Sequence, residues 1–465
     1  MLLRVFQRCG VLNRHTTSIL KRRQSEFTVC RDDEKKIDVM RRLIQERSTD
    51  KHTAGNDAFY VMDLGYFVKS VMEWKRLLPR VYPYYAVKAN PDPVLLQFMT
   101  KLKFGYDCAS MNEIKMITGK GNPPTRIIYA NTRKQPSHLR YAESVGVKYT
   151  TVDDEDELHK IKQNTPNMRL LLRLSTLNFS ASLSEGMCKK FGCSQQEAYN
   201  LLKTARELGL TVNGVSFHVG SGCSDPHAFS KALQLAKEVF MNGAELGYNM
   251  NILDIGGGFA SETTNNYGVV AFSLMADVIR KALDEYFPED NAVQIIAEPG
   301  AYFMMPSTDL VTNIIGTKNN IGKQSFGFQE HEDGPEIEYF INDGNQSSLF
   351  VYNLEPDLIP VAKPVSKDYF DAPTFKCKIW GQTCDEDVIM EECQLPKMKT
   401  GDWIHFTDKG SYSSVYCTNF NGFTNRPTCR YISKSMLTRL ETLIRDGVFE
   451  HLPNHLGLYK VVDSK

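Results

Sequence analysis

The chain has 465 residues, 42% of them hydrophobic and 24% charged, with 55 Lys and Arg set against 55 Asp and Glu. That length accommodates two domains, or one large barrel with an appendage, and the even charge balance argues for no nucleic-acid or membrane partner. No run of about 18 apolar residues marks a membrane-spanning helix, and the 11 cysteines show neither a CxxC pair nor a zinc spacing, which fits a reducing compartment.

In chain order, residues 1–24 come first. The stretch "MLLRVFQRCGVLNRHTTSILKRRQS" holds six Lys or Arg residues and no acid before Glu26. It matches a mitochondrial transit peptide as well as it matches a disordered basic extension, and it stands apart from the fold. Residues 25–57 are expected to pack with the β domain described below. From residue 58 a regular alternation begins. Apolar strand-like runs fall at 81–88, 103–107, 126–131, 148–152, 168–174, 213–219, 251–255 and 293–298. Helical patterns with apolar residues at three- and four-residue spacing fill the gaps, as at 92–101, 196–208 and 226–247,. Eight strands with a helix in each gap predict an α/β chain whose residues 58–306 form a (β/α)8 barrel.

The pattern changes at residue 307. The segments TDLVTNIIG, IEYFIN, LFVYN, FKCKIW, WIHFT and TCRYIS follow one another without long helices between them. Residues 307–435 therefore read as an all-β domain. The amphipathic "KSMLTRLETLIRDG" then predicts a C-terminal helix and tail over 436–465.

Functional residues of such a barrel sit at the C-terminal ends of its strands. Lys88 ends "VYPYYAVK", Asp107 ends the second strand and Arg173 lies near the end of the fifth. His218 opens "HVGSGC", Gly256, Gly257 and Gly258 follow the seventh strand in "DIGGGF", and Glu298 ends the eighth in "AEPG". Each has a plainer reading: a snorkelling lysine, a helix cap, a core histidine, a tight turn. Their common place on one rim favours a site. Glycine-rich loops let backbone N–H groups cradle a phosphate, and Ser221 can add a donor. A lysine held neutral can form a Schiff base. A buried carboxylate can keep a proton on a pyridine nitrogen, and an imidazole can stack on the ring. Together these groups describe a pyridoxal 5'-phosphate (PLP) site.

The motifs "YYAVKAN", "GYDCAS", "SFHVGSGC", "LDIGGGF", "IIAEPG", "IWGQTCDE" and "NFNGF" resemble, in order and spacing, those of the eukaryotic ornithine decarboxylases. The resemblance covers roughly residues 56–433. It implies a PLP-binding barrel of the alanine-racemase type, a C-terminal β domain, and a head-to-tail homodimer whose active sites are shared across the interface. It implies a mostly cytoplasmic protein, whereas the basic N-terminus points to mitochondria. By resemblance Lys88 holds PLP covalently, His218 stacks on its ring and Glu298 partners its nitrogen. Asp107, Arg173, Gly256–Gly258 and Gly300 fall at cofactor positions, and Ser221, Gly258 and Tyr412 match phosphate ligands. Cys384 matches a proton donor from the partner subunit, and Asp385 an acid there that receives a distal ammonium. Tyr352, Asn353 and Phe420 fall at substrate positions, and Gly410 at the dimer interface.

Three positions depart from the family. Ala301 stands where an arginine grips the PLP phosphate, and Asn353 where an aspartate follows the tyrosine. "NDGNQSSLF" is shorter and lacks a pocket tyrosine. These changes support an alternative, a non-catalytic relative of the antizyme inhibitors, or a decarboxylase with a changed substrate. The segment 131–155 resembles an antizyme-contacting element, so an antizyme partner fits either reading, as does an ordinary exposed helix.

Overall fold

The structure, a computed structural model, describes residues 26–49, 55–178, 190–259, 270–289, 292–320, 335–354, 358 and 360–449. The basic stretch 1–24, with the targeting expectation attached to it, lies outside the described residues. So does the tail beyond 449.

The chain opens with β1 (Thr28–Cys30), α1 (Lys36–Ser48), β2 (Phe59–Asp63) and α2 (Leu64–Leu77). Strands and helices then alternate: β3 (Val81–Ala86), α3 (Pro93–Lys101), β4 (Gly105–Cys108), α4 (Met111–Gly119), β5 (Ile127–Tyr129), α5 (Pro136–Ser144), β6 (Tyr149–Val152), α6 (Glu155–Asn164), β7 (Arg169–Leu174), α7 (Gln195–Glu207), β8 (Thr211–Phe217), α8 (His227–Glu245), β9 (Ile252–Asp254), α9 (Phe272–Tyr286) and β10 (Gln294–Ala297). After the single turn of α10 (Ala301–Met304) come β11 (Thr308–Asn319), β12 (Ile337–Ile341), α11 (Val351–Leu354), β13 (Ala362–Pro364), β14 (Thr374–Trp380), β15 (Val388–Pro396), β16 (Trp403–Phe406), β17 (Thr428–Ser433) and α12 (Lys434–Arg445).

Strands β3 to β10 close into an all-parallel barrel, with β10 pairing β3. Parallel strands covered on both faces carry unbroken apolar runs, and every residue of β3 and β10 is buried. Local signals set the helix starts. Asp92 accepts hydrogen bonds from Val94 and Leu95 N–H at the head of α3, just before Pro93, and Ser194 and Glu197 form a reciprocal capping box on α7,. One continuous apolar cluster fills and surrounds the barrel.

The other strands form a nine-stranded sheet with a path β1-β17-β2-β11-β12-β14-β15, to which β16 and β13 attach. Its own core gathers Leu310, Ile314, Tyr339, Ile341, Ile379 and Phe406. Helix α1 covers another part of the sheet through Val39 and Met40, against Phe59, Val61 and Tyr431.

The barrel does not begin at residue 58. Strand β2 runs antiparallel to β11 and parallel to β17, so 59–63 belongs to the sheet. The run LFVYN is not a strand either. Asp343 takes hydrogen bonds from Gly344 N–H, Ser348 N–H and Ser348 Oγ, and the tight turn this creates carries into α11. There Tyr352 and Asn353 donate their N–H groups to the carbonyls of Leu349 and Phe350. Strand β15 went unforeseen because Glu391 and Glu392 interrupt its apolar pattern, though it pairs with β14 along most of its length. Among the described residues no helix is long and apolar enough to cross a membrane.

Trp74 ties α2 to the barrel and to α9. It is fully buried, stacks on Phe272 at 5.6 Å, meets Phe259 edge-on at 4.9 Å, and donates its Nε1–H to Val81 O at 2.9 Å. Trp74→Ala is expected to cost about 3–5 kcal/mol. Trp74→Phe, which keeps a ring and strands one carbonyl, is expected to cost about 1–3 kcal/mol. Urea midpoints at unchanged slope measure both.

Candidate active site

A closed parallel barrel points the C-terminal ends of all its strands to one rim. The structure puts Lys88, Asp107, Arg173, His218, the Gly256–Gly258 loop and Glu298 at that rim. Lys88 is not in β3, which stops at Ala86, but in a one-turn 3-10 helix over Val87–Ala89. The chain turns outward there because Asn90 Oδ1 accepts from Asp92 N–H at 3.0 Å and Asp92 caps α3.

The Lys88 ammonium pairs with Asp107 Oδ2, and Asp107 is wholly inaccessible. Burial works against the charge on Lys88, but Asp107, then Tyr412 and Glu298, outweigh it and hold its pKa above the ordinary lysine value,. Arg173 supplies the second positive charge felt by the rim acids.

Glu298 is buried, and its Oε1 has no hydrogen-bond partner among the described residues. Beside it stands Asp254, the last residue of β9, whose Oδ1 accepts from Gly256 N–H at 2.9 Å. Burial, then the neighbouring acids Asp254 and Asp107, raise the Glu298 pKa well above the carboxylate range. Burial likewise lifts Asp254 to about 7, with the hydrogen bond from Gly256 N–H opposing. Both carboxyl groups are therefore held toward their protonated forms. Asp254 escaped the sequence reading because it sits unremarked in "LDIGGGF"; a carboxylate ending a buried strand was the available signal.

His218 follows β8. Its Nδ1 accepts from Gly220 N–H at 2.9 Å, which places the proton of the neutral ring on Nε2. Burial, with the positive charges of Arg173 and Lys88, keeps the ring neutral by driving its pKa well below the usual histidine value. Space beside the ring depends on glycine. A Cβ on Gly257 would stand 2.7 Å from His218 Nε2 and 3.0 Å from Glu298 O.

These features fit PLP. The unpartnered oxygen of Glu298 awaits an N–H donor, and a protonated pyridine nitrogen there would offset the cost of ionising the buried acids. His218 offers a neutral ring face, and the loops of Gly256–Gly258 and exposed Ser221 offer backbone N–H and hydroxyl donors,. Gly300 lies against Ala89 with no room for a side chain, and Ala301 beside it brings no charge. Tyr412 reaches the rim from the sheet side: its N–H donates to Ala89 O at 3.0 Å, and burial raises its phenol pKa, with Lys88 opposing. The same loop holds Gly410, whose Cβ would collide with Met304 O at 1.6 Å.

Five of the expected residues are not brought to this chain's own rim. Cys384 and Asp385 are exposed in the turn between β14 and β15, and Cys384 N–H donates to Asn421 Oδ1, next to exposed Phe420. Among the described residues none of these three hydrogen-bonds or ion-pairs with Lys88, Asp107 or Glu298. Asn353 is exposed on α11, while Tyr352, half-buried, accepts a hydrogen bond from Lys409 Nζ. Lys409 is the second residue the sequence reading missed. Its partner lies 57 positions away along the chain, which no local pattern reveals. Among the described residues no cluster of His, Cys, Asp or Glu is arranged to hold a metal.

Comparison with known proteins agrees with this geometry. The pattern defining the pyridoxal-binding domain of pyridoxal-dependent decarboxylases matches residues 64–305. Ornithine decarboxylase from Rattus norvegicus is 41% identical over 423 residues, covering 88% of this chain and 87% of that protein. Antizyme inhibitor 2 from Xenopus laevis is 39% identical over 408 residues, 87% of each. The crystal structure of the Paramecium bursaria Chlorella virus arginine decarboxylase superposes with a TM-score of 0.76 at 33% identity, covering 85% of this chain and all of that one.

The raised pKa values of these acids can be tested without cofactor. Both folded-state pKa values are raised, so the stability this pair gives is complete below the ordinary value of 3.8 and lost as pH climbs through about 7,. Asp254→Asn cannot ionise. Its melting temperature relative to wild type is expected to rise by about 2 °C or more between pH 5 and pH 8, by calorimetry. A constant difference would show that the pKa of Asp254 is not raised in the folded protein.

Proposed function

The chain belongs to the pyridoxal-dependent decarboxylases, and from that footing we propose that it removes the α-carboxyl group of a basic amino acid, L-ornithine foremost, giving CO2 and putrescine. The observation that carries this reading is the Lys88–Asp107 pair set on one barrel rim with the buried acid Glu298, whose Oε1 has no hydrogen-bond partner among the described residues.

Lys88 would hold PLP through Nζ, with Asp107 fixing the amine. Glu298, backed by Asp254, keeps a proton at the pyridine nitrogen, and His218 covers the ring. The Gly256–Gly258 loop, Ser221 and Tyr412 receive the phosphate. When bound, the cofactor supplies an electron sink for the pair released as the bond to the carboxyl group breaks. Cys384 of a second copy then returns a proton to the α-carbon, and Asp385 beside it takes the distal ammonium. The exposure of Cys384, Asp385 and Phe420, away from this chain's own rim, supports a site completed by a homodimer.

A second reading has support of its own. The identity to antizyme inhibitor 2, with Ala301 and Asn353, favours a chain that binds antizyme and turns over weakly or not at all. The 131–155 segment gives that reading limited help. Its Lys134 is sealed in a pair with Glu157 at 3.1 Å, and Arg133 is engaged by Asp153 and Asp154.

Purified protein titrated with PLP and assayed for CO2 release separates the two. We expect a lysine-bound cofactor absorbance that Lys88→Ala abolishes, together with release from ornithine. Antizyme capture with no absorbance at any PLP concentration would establish the second reading instead. Ala301→Arg adds a charge-assisted bond of about 1.5–3 kcal/mol and is expected to tighten PLP roughly ten- to hundredfold, read by absorbance titration.

A further inference from the structure

The turn that carries Cys384 and Asp385 is built around a buried acid, Asp387. This residue is 4% exposed, and its backbone closes the turn: Gly381 N–H donates to Asp387 O at 2.6 Å, and Asp387 N–H to Asp385 O at 2.8 Å. Its carboxylate points inward. Oδ1 accepts from Asn345 N–H at 2.8 Å, and Oδ2 from Thr383 Oγ1 at 3.1 Å and Thr383 N–H at 3.4 Å. Two glycines make the niche that admits it. A Cβ on Gly344 or on Gly381 would stand 2.2 Å from Asp387 Oδ2.

A buried carboxylate is a costly way to close a hairpin, since losing its donors leaves a charge stranded out of water. What this one holds is Thr383, the residue directly before Cys384. Asn345 extends the hold, because its Nδ2 donates to Val388 O at 2.5 Å. The loop of Asn345 is itself fixed by Asp343, which accepts from Gly344 N–H at 2.7 Å, Ser348 N–H at 3.0 Å and Arg426 Nε at 2.8 Å. On the outer side Cys384 N–H donates to Asn421 Oδ1 at 3.3 Å. The turn is therefore anchored on two sides while Cys384, Asp385 and Glu386 remain exposed.

Resting on the decarboxylase reading above, we propose that Asp387 is a positioning residue for proton return: seated between Gly344 and Gly381, it holds Thr383 and so fixes where Cys384 presents its thiol to the second copy's site. Aim matters because the electron pair left by the departing carboxyl group can take its proton at two carbons. A proton from the thiol on the substrate's α-carbon gives the amine, and the thiolate regains a proton from solvent. A proton on the cofactor's aldehyde-derived carbon, followed by addition of water, gives 4-aminobutanal and pyridoxamine phosphate, the α-nitrogen staying on the cofactor. A misplacement of about 1 Å can cost roughly a hundredfold in such a step, so a slack turn favours the second course.

Asp387→Asn keeps the size of the side chain, but whichever way the amide lies an NH2 faces a donor. Thr383→Val, which removes only the hydroxyl donor, is a second and milder variant should the first fold poorly. Hydrogen exchange read by mass spectrometry needs neither cofactor nor turnover. Peptides over 381–388 are expected to exchange about tenfold faster in Asp387→Asn, with β11 unchanged. With PLP-loaded protein and ornithine, the share of turnovers ending as pyridoxamine phosphate is read by absorbance. That share is expected to rise roughly tenfold in Asp387→Asn and less in Thr383→Val, with KM near wild type. Cys384→Ala sets its upper limit. A rise in Cys384→Ala with none in Asp387→Asn would overturn the role of Asp387 and leave decarboxylation, with Cys384 as donor, intact. Unchanged exchange in Asp387→Asn would likewise overturn the proposal alone. No CO2 release from wild type would overturn the decarboxylase reading, and the proposal with it.

Discussion

Lys88 and Asp107 are bonded at the mouth of the barrel, with Asp107 wholly out of water. A buried ion pair of this kind contributes little net stability, yet losing either partner leaves an uncompensated charge in a poor dielectric. Around it the protein has gathered two further acids, which answer the same problem differently: Glu298 and Asp254 stay close by retaining a proton. The rim is thus an unfinished electrostatic arrangement, and a ligand with a cationic ring nitrogen and an anionic phosphate completes it from both ends.

The barrel supplies most of the rim, but the sheet holds it in place. Asn90 Nδ2 donates to Gly410 O at 2.8 Å, Gly410 N–H to Met305 O at 3.0 Å, and Tyr412 N–H to Ala89 O at 3.0 Å. The loop after β16 therefore rests on both the lysine turn and α10. Any side chain at Gly410 would push these layers apart at the point where Lys88 is aimed.

The eight barrel strands were legible because parallel strands buried on both faces leave unbroken apolar runs, and their order alone placed Lys88, His218, the glycine loop and Glu298 on a common rim. LFVYN was misread for the same reason, since its apolar residues suit a strand while Asp343, several residues upstream, winds the chain into a turn. Strand β15 was hidden by its two outward glutamates. Asp254 and Lys409 acquire meaning only from partners brought close by folding: Glu298 on the next strand, and Tyr352 on a remote turn. Cys384 was singled out by family resemblance, because chemistry alone offers no reason to prefer one exposed thiol in a polar turn.

The hydrogen bond from Gly220 N–H to His218 Nδ1 links two tasks that a site of this kind could have kept apart. The histidine is oriented by its own loop, and that loop also touches the glycine loop through Cys223 N–H and Gly258 O at 3.4 Å. In the proposed site, whatever settled the amides around a phosphate would also settle the tilt of the imidazole. Discrimination between the phosphorylated vitamer and its free alcohol would then be built in twice: the unphosphorylated aldehyde would forfeit its anchor and would also meet a histidine less firmly set.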